Sequence, residues 1–320
     1  MTNRKTIYAP LMLVAALWCP LLSASEGYAC AYRGDGAPVM DGRVDGDPFW
    51  SEVPRSAECR LLGKDRAPDP LKTWFKLAYT NDAVYFGICC EEPRMDKLKA
   101  DAKPNGELWN DDSVEIFIAP PSQEPYLHLI VNAAGVRYNG QGLERIELLR
   151  WTAVCAKDAN AYSVELRLPY TTLLAAPDAG ACWLGNVGRN HQTGDQKNAS
   201  WAPLVSGFHD KAAFAPFIFP VGVASPEADA LRRGNMLGII AAQSAEFRSL
   251  VKPLAQNRYD IRLLEVEDVA VGRCSVTADS RMLATLVNNQ EKLLACVRTL
   301  RDQRQESLAQ ARLAALFHKP

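Results

Sequence analysis

Residues 107–120 read ELWNDDSVEIFIAP and residues 126–135 read YLHLIVNAAG. Strand alternation sends Val114, Ile116 and Ile118 to one face of the first stretch and Ser113, Glu115 and Phe117 to the other. The aliphatic face reads as core. In the second stretch Leu127, Leu129 and Val131 point one way, and His128, Ile130 and Asn132 the other. If the two strands pair, Glu115 and Asn132 share a face, and a row of hydrogen-bonding groups results.

Working outward, the chain from Pro38 to about Val223 is a series of short apolar or alternating runs broken by Pro, Gly, Asn and Asp. The runs are Trp74 to Tyr79, Val84 to Cys90, Val114 to Ala119, Leu127 to Ala133, Trp151 to Ala156, Tyr162 to Leu168, Trp183 to Val187 and Phe214 to Val221. No helix-length segment interrupts them, so a doubly wound sheet is disfavoured and an antiparallel β-sandwich over 38–223 is expected. Trp50, Trp74, Trp151 and Trp183 lie in or beside these runs and read as core. After Pro226 the composition shifts to Ala, Leu, Arg, Gln and Glu, which predicts a C-terminal α-helical segment over 226–320. Leu283, Leu286, Leu293, Val297, Leu300 and Leu308 form one stripe, and 228–256 is its expected antiparallel partner in a helical hairpin.

Of the 320 residues, 48% are hydrophobic and 23% charged, and the formal charge is −1. Such a chain builds a core and carries no global field for nucleic acid or anionic lipid. Arg4 and Lys5 precede an apolar run from Leu11 to Leu22 that small residues follow, the layout of a secretory signal over 1–29 with cleavage after Ser25 or Ala29. Export to the periplasm, cell envelope or exterior is therefore expected. Uncleaved anchoring and lipidation at Cys30 remain as alternatives. Of the nine cysteines, Cys19 lies in the signal and the rest would enter an oxidising compartment, where disulfides can form. Adjacent Cys89 and Cys90 face opposite sides of a strand and do not pair with each other.

The polar row around Glu115 and Asn132, with Trp109 just before it, fits a sugar. Each hydroxyl is both donor and acceptor, while the ring's C–H face packs on aromatic surface. Solvent-facing polar residues on a half-buried strand give the same pattern, so the residues alone leave both readings open. Asp111 and Asp112 read as turn-formers into the strand or as metal ligands. A glycosidase pair among Asp111, Asp112 and Glu115 is excluded, because Asp112 and Glu115 differ in parity and Asp111 lies ~13 Å along the strand from Glu115. No GxSxG, HExxH, P-loop or GxGxxG motif is present.

Six ordered segments carry a resemblance: PVMDGRVDGDPFWSEVP (38–54), TWFKLAYTNDAVYFGICCEEP (73–93), the pair above, AYSVELRLPYTTL (161–173), CWLGNVGRN (182–190) and SWAPLVSGFHDKAAFAPFIF (200–219). Together, over about Pro38 to Val223, they resemble family 9 carbohydrate-binding modules. The resemblance implies a non-catalytic sandwich that holds an oligo- or polysaccharide between two aromatic rings, needing no cofactor beyond a structural calcium. Carried over by position, it makes Trp109 the first ring, Phe208 the second, and Glu115 and Asn132 the polar contacts, with His128 or His209 as substitutes. Ile130 stands where a ligand-binding member can place Arg. Asp41, Asp45 and Asp47 offer hard oxygen ligands for calcium in a Gly-containing loop. Other readings are an envelope scaffold without a sugar site, whose helical tail docks a second copy or a protein partner, a DOMON-type haem domain using Met95 and His128, and a glycoside hydrolase component.

Expression with the native N-terminus is expected to yield a chain shortened by roughly 22 to 30 residues. Intact-mass measurement of the exported protein checks this, and an unprocessed chain in the cytoplasm would contradict it.

Overall fold

The computed structural model describes residues 27–121, 124–147, 149–193 and 198–251, and within 283–303 all but 284, 288, 296 and 300. Residues 1–26 of the signal stretch, Cys274 and Cys296 lie outside the described residues. Strands are β1 (Tyr28–Ala29), β2 (Ala31–Tyr32), β3 (Arg60–Leu61), β4 (Thr73–Tyr79), β5 (Ala83–Glu91), β6 (Ser113–Ala119) and β7 (Leu127–Asn132). They continue as β8 (Arg137–Gln141), β9 (Glu144–Arg145), β10 (Thr152–Lys157), β11 (Ala161–Pro169), β12 (Ala181–Asn190), β13 (Ala199–Ser200) and β14 (Ala215–Phe219). The helices are α1 (Pro48–Ser51), α2 (Tyr170–Leu173) and α3 (Pro226–Val251).

A nine-stranded sheet runs β1-β14-β12-β6-β7-β8-β9, with β13 on β12 and β3 on β13. A five-stranded sheet runs β10-β11-β5-β4-β2. Their inner faces share one core. Val114, Ile116, Ile118, Leu129 and Phe217 of the larger sheet cluster with Phe75, Leu77, Phe86, Val164 and Leu166 of the smaller, all fully buried. Phe217 sets its ring edge-on to Phe75 at 6.0 Å and to Phe86 at 5.8 Å, locking the layers. Trp50, Trp74, Trp151 and Trp183 are buried.

The sandwich is mixed, not purely antiparallel. β1 pairs parallel with β14, and β2 parallel with β4. One short N-terminal segment thus closes an edge of each sheet, which an antiparallel meander cannot do without another crossover. Tyr28 anchors it: its hydroxyl donates to the Pro54 carbonyl at 2.5 Å and accepts from the Leu77 amide at 2.9 Å. Cys30 is buried with 2% exposure, so an acyl chain on it would have to occupy the core.

The Asp-Gly loop before α1 is fastened by Glu165 of β11. One carboxylate oxygen accepts the Trp50 indole N–H at 2.7 Å, and the other accepts the Gly42 and Asp41 amides at 2.8 and 3.0 Å. Gly42 has φ +88° and a Cβ there would lie 2.6 Å from the Ala156 nitrogen, so both the conformation and the close approach require glycine. The aspartates of this loop serve the backbone. Asp41 Oδ1 accepts the Arg43 amide, Asp47 Oδ1 caps α1 through the Phe49 amide, and Asp47 Oδ2 accepts the Val39 amide. Asp45 is exposed, and the three carboxylates are not among the described groups that converge on one point. In this loop Asp47 is thus committed at both oxygens and Asp41 at one, to the turn's own amides.

Cys89 and Cys90 face opposite sides of β5, as alternation requires, and with Cys30, Cys59 and Cys155 they carry free thiols. Burial pushes the Cys155 thiol up to about 12.

Helix α3 begins as its sequence dictates, with Ser225 capping the Ala228 amide and Pro226 in the first turn. Ala228 is fully buried in the sandwich core, and Arg232 donates to the Pro177 and Val223 carbonyls. The start of the tail is thus docked on the sandwich. Farther along, Ile240 and Leu283 form a small core, Gln243 donates to Glu291, and Arg298 clamps both oxygens of Glu246 at 2.7 Å. These contacts advance in the same direction along both helical segments, in place of the antiparallel hairpin read from the stripe. Leu293 is 48% exposed while Leu294 is buried, so among the described residues Leu283, Leu286, Val287 and Leu294 face inward; Leu300 and Leu308 lie outside the described residues.

Replacing Glu165 with Gln retains shape but turns an amide N–H₂ toward groups that are themselves donors. A loss of about 1–3 kcal/mol is expected, read as a lower urea midpoint with an unchanged slope.

Candidate functional site

The outer face of the larger sheet carries a cavity of about 580 Å³, lined among others by Trp109, Glu115, His128, Asn190, Gln192, Phe208 and His209. Register explains the convergence. Glu115 pairs with Ile130 on one side and Gly188 on the other, Phe117 with His128, and Ser113 with Asn132 and Asn190. Because side chains alternate, Ser113, Glu115 and Phe117 share this face with His128, Ile130, Gly188 and Asn190. Both faces of β6 are buried, which the sequence reading, with its single core face, did not anticipate.

Trp109 sits in a one-turn 3-10 segment, Leu108–Asn110. Leu108 is fully buried against Ile130 and Tyr138, and this anchor turns the next residue outward. Trp109 is 42% exposed, edge-on to Tyr138 at a ring separation of 5.7 Å, and its carbonyl accepts from Gln192 Nε2. Among the described residues it is the one large aromatic side chain on the exposed surface. Phe208 lines the cavity but is only 7% exposed, its ring lying over Gly188, where a Cβ would meet it at 2.9 Å. The pair of open rings expected from the resemblance is therefore one open ring and one floor ring.

Glu115, 3% exposed, is held at both oxygens. Oε1 accepts from Asn190 Nδ2 at 2.6 Å, and Oε2 lies 2.6 Å from His128 Nε2. The His128 ring stacks on Phe117 at 4.5 Å and meets the His209 ring edge-on at 4.7 Å. His209 Nδ1 lies 2.9 Å from the Tyr126 hydroxyl. Partial burial of its ring, then the adjacent His128, holds the His209 imidazole below its ordinary value, with Glu115 opposing.

Asn132 does not reach the cavity. Its Nδ2 donates to Asp111 Oδ2 at 2.9 Å, and its Oδ1 accepts the Ala134 and Val136 amides, so the side chain staples the β7–β8 turn. Asp111 and Asp112 are likewise turn-builders. Asp111 accepts the Asp101 and Ala102 amides, and Asp112 accepts those of Lys99 and Gln192. Met95 packs against the main core and is not part of the cavity.

Sequence reasoning passed over Asn190, Gln192, Asn198 and Tyr138, all of which line the cavity. Asn190 was within reach, since it follows Gly188 at strand spacing in CWLGNVGRN. Gln192 and Asn198 lie in loops, where no periodicity points. A second unforeseen group lies at one end of the sandwich. Arg189 is fully buried beside Glu92, which also accepts from Thr193 and contacts His191 at 2.8 Å. Burial alone would raise the Glu92 carboxyl, yet the hydrogen bonds from Thr193, the Arg94 amide and His191 hold it below its ordinary value.

Residues 40–212 match a family model described as carbohydrate family 9 binding domain-like. No curated protein matches the chain. Among solved structures, a carbohydrate binding module family 9 from Caldicellulosiruptor kristjanssonii in complex with glucose is 20% identical, covers 62% of this chain and 96% of its own, and has a TM-score of 0.48. The cellotriose complex of a module of the same description and organism is also 20% identical with the same coverage and a TM-score of 0.47.

Two outcomes test the site's geometry. Asn132→Ala is expected to cost about 2 kcal/mol or more in chemical denaturation, because it strips a turn of its acceptor and Asp111 of a donor. In NMR titration of the metal-free protein, His209 is expected to lose its proton at a pH below 6.5, the ordinary histidine value.

Proposed function

The chain belongs to the carbohydrate family 9 binding domain-like family, and from that membership we propose that it captures saccharides non-covalently in the cavity above β6, β7 and β12. The observation that carries the reading is Trp109, the exposed indole at the cavity, beside a set of fixed hydrogen-bonding groups. A pyranose lays its C–H face on the indole while its hydroxyls meet Glu115, Asn190, Gln192 and Asn198. Ile130 is buried behind Leu108, so these amides take the place of the absent Arg.

Among the described residues, Glu115 is the one carboxylate lining the cavity. Hydrolysis by a carboxylate pair needs a second one across the bond, which supports recognition over catalysis. We further read the first residues as an export signal. Cleavage after Ser25 keeps β1 and its Tyr28 anchor, whereas cleavage after Ala29 discards both, which favours Ser25. An exported binder of this kind serves polysaccharide capture or breakdown carried out by other proteins.

A panel of neutral oligosaccharides is expected to quench tryptophan fluorescence in the folded chain. Trp109→Ala should weaken the best ligand by about 30-fold, equivalent to the ~2 kcal/mol of a binding hot spot, with circular dichroism unchanged because the indole packs only at the cavity. Equal binding by parent and variant would remove the cavity from consideration, and absence of any saccharide ligand would favour the scaffold reading.

A further inference from the structure

The floor of the cavity brings together three groups that metals bind. Glu115 on β6, His128 on β7 and His209 in the loop before β14 each place a ligand atom within 4.8 Å of the other two. We propose that this floor binds one divalent transition-metal ion of the imidazole-preferring class, Zn²⁺ foremost, through Glu115, His128 and His209.

The donor set argues for that class. Two imidazoles and one carboxylate suit zinc and its neighbours, while calcium takes six to eight oxygens. The groups behind the three ligands orient them as outer partners do at metal sites. Asn190 holds Glu115 Oε1 and leaves Oε2 turned to the cluster. His209 Nδ1 lies 2.9 Å from the Tyr126 hydroxyl, whose oxygen can accept from the ring when the proton sits on Nδ1. That tautomer leaves the lone pair on Nε2 bare. His128 is fixed in plane by its stack on Phe117.

His128 Nε2 and Glu115 Oε2 are 2.6 Å apart, within hydrogen-bond distance. Two ligands on a tetrahedral zinc at ~2.0–2.1 Å stand ~3.3 Å apart, so an opening of under about 1 Å admits the ion. To bind, His128 carries its ring proton on Nδ1, which leaves the Nε2 lone pair for the metal, and Glu115 Oε2 turns from the imidazole to the ion. The cavity supplies both the entry path and room for water at the remaining position. The cluster of Glu92, Asp112 and His191 also converges, but its oxygens already hold Arg189, Thr193 and the Lys99 and Gln192 amides. A dication there would face a buried guanidinium.

The test is calorimetric titration of the metal-stripped full chain with ZnCl₂, with CaCl₂ in parallel. No saccharide is present, so the outcome does not depend on the sugar reading. The expected result is one zinc per chain and no response to calcium. His209 is exposed, so His209→Ala should fold and lose at least the ~10–100-fold that removal of an outer partner costs. Tyr126→Phe, which keeps the ring but removes the hydroxyl, should show a smaller loss. Zinc binding that His209→Ala leaves intact, or no zinc binding to the parent at micromolar concentration, overturns the proposal.

Discussion

The site rests on keeping one carboxylate, Glu115, inside the protein on the outer face of a sheet. A buried charge without partners costs several kcal/mol, and here both oxygens are met, by Asn190 from β12 and His128 from β7. Those contacts cross both neighbours of β6, so the register of three strands and the polar site are one constraint. A one-residue slip would turn Glu115 into the sandwich core and Val114 or Ile116 into the cavity. The flanking loops follow from the same requirement. Asp111 and Asp112 fold the 99–102 backbone and Gln192 over the face, shielding the carboxylate while leaving an opening beside Trp109.

The rest of the sandwich holds this face rigid. Glu165 ties the Asp-Gly loop and Trp50 to the smaller sheet, the segment from Tyr28 to Tyr32 closes an edge of each sheet, and Ala228 and Arg232 dock the first turns of α3. Preorganisation matters for a sugar, whose many weak hydrogen bonds are easily cancelled by the cost of ordering side chains. A cavity whose polar groups are already fixed by neighbours avoids most of that cost.

Much of the scaffold was legible because its strands carry period-two patterns: Val114, Ile116 and Ile118 named the core face of β6, and the four buried tryptophans were placed correctly. β1 and β2 were not, since two-residue strands carry no periodicity and their parallel pairings depend on a distant partner. At the site, Trp109, Glu115, His128, Phe208 and His209 do come to one cavity. Asn132 was misassigned because alternation reports which face a side chain takes, not whether a turn has already claimed its amide. In the 41–47 loop, likewise, composition does not report that Asp41 and Asp47 serve local amides. The helical stripe erred by one position at Leu293, since neighbouring leucines make the phase ambiguous until a partner selects one.

Chemical-shift mapping on the isotope-labelled chain with soluble neutral oligosaccharides tests the central claim most directly. The account predicts that shifts concentrate on the Trp109 indole, the Asn190 and Gln192 amides and the His209 region. Shifts confined to other surfaces, or none at millimolar sugar, would contradict it.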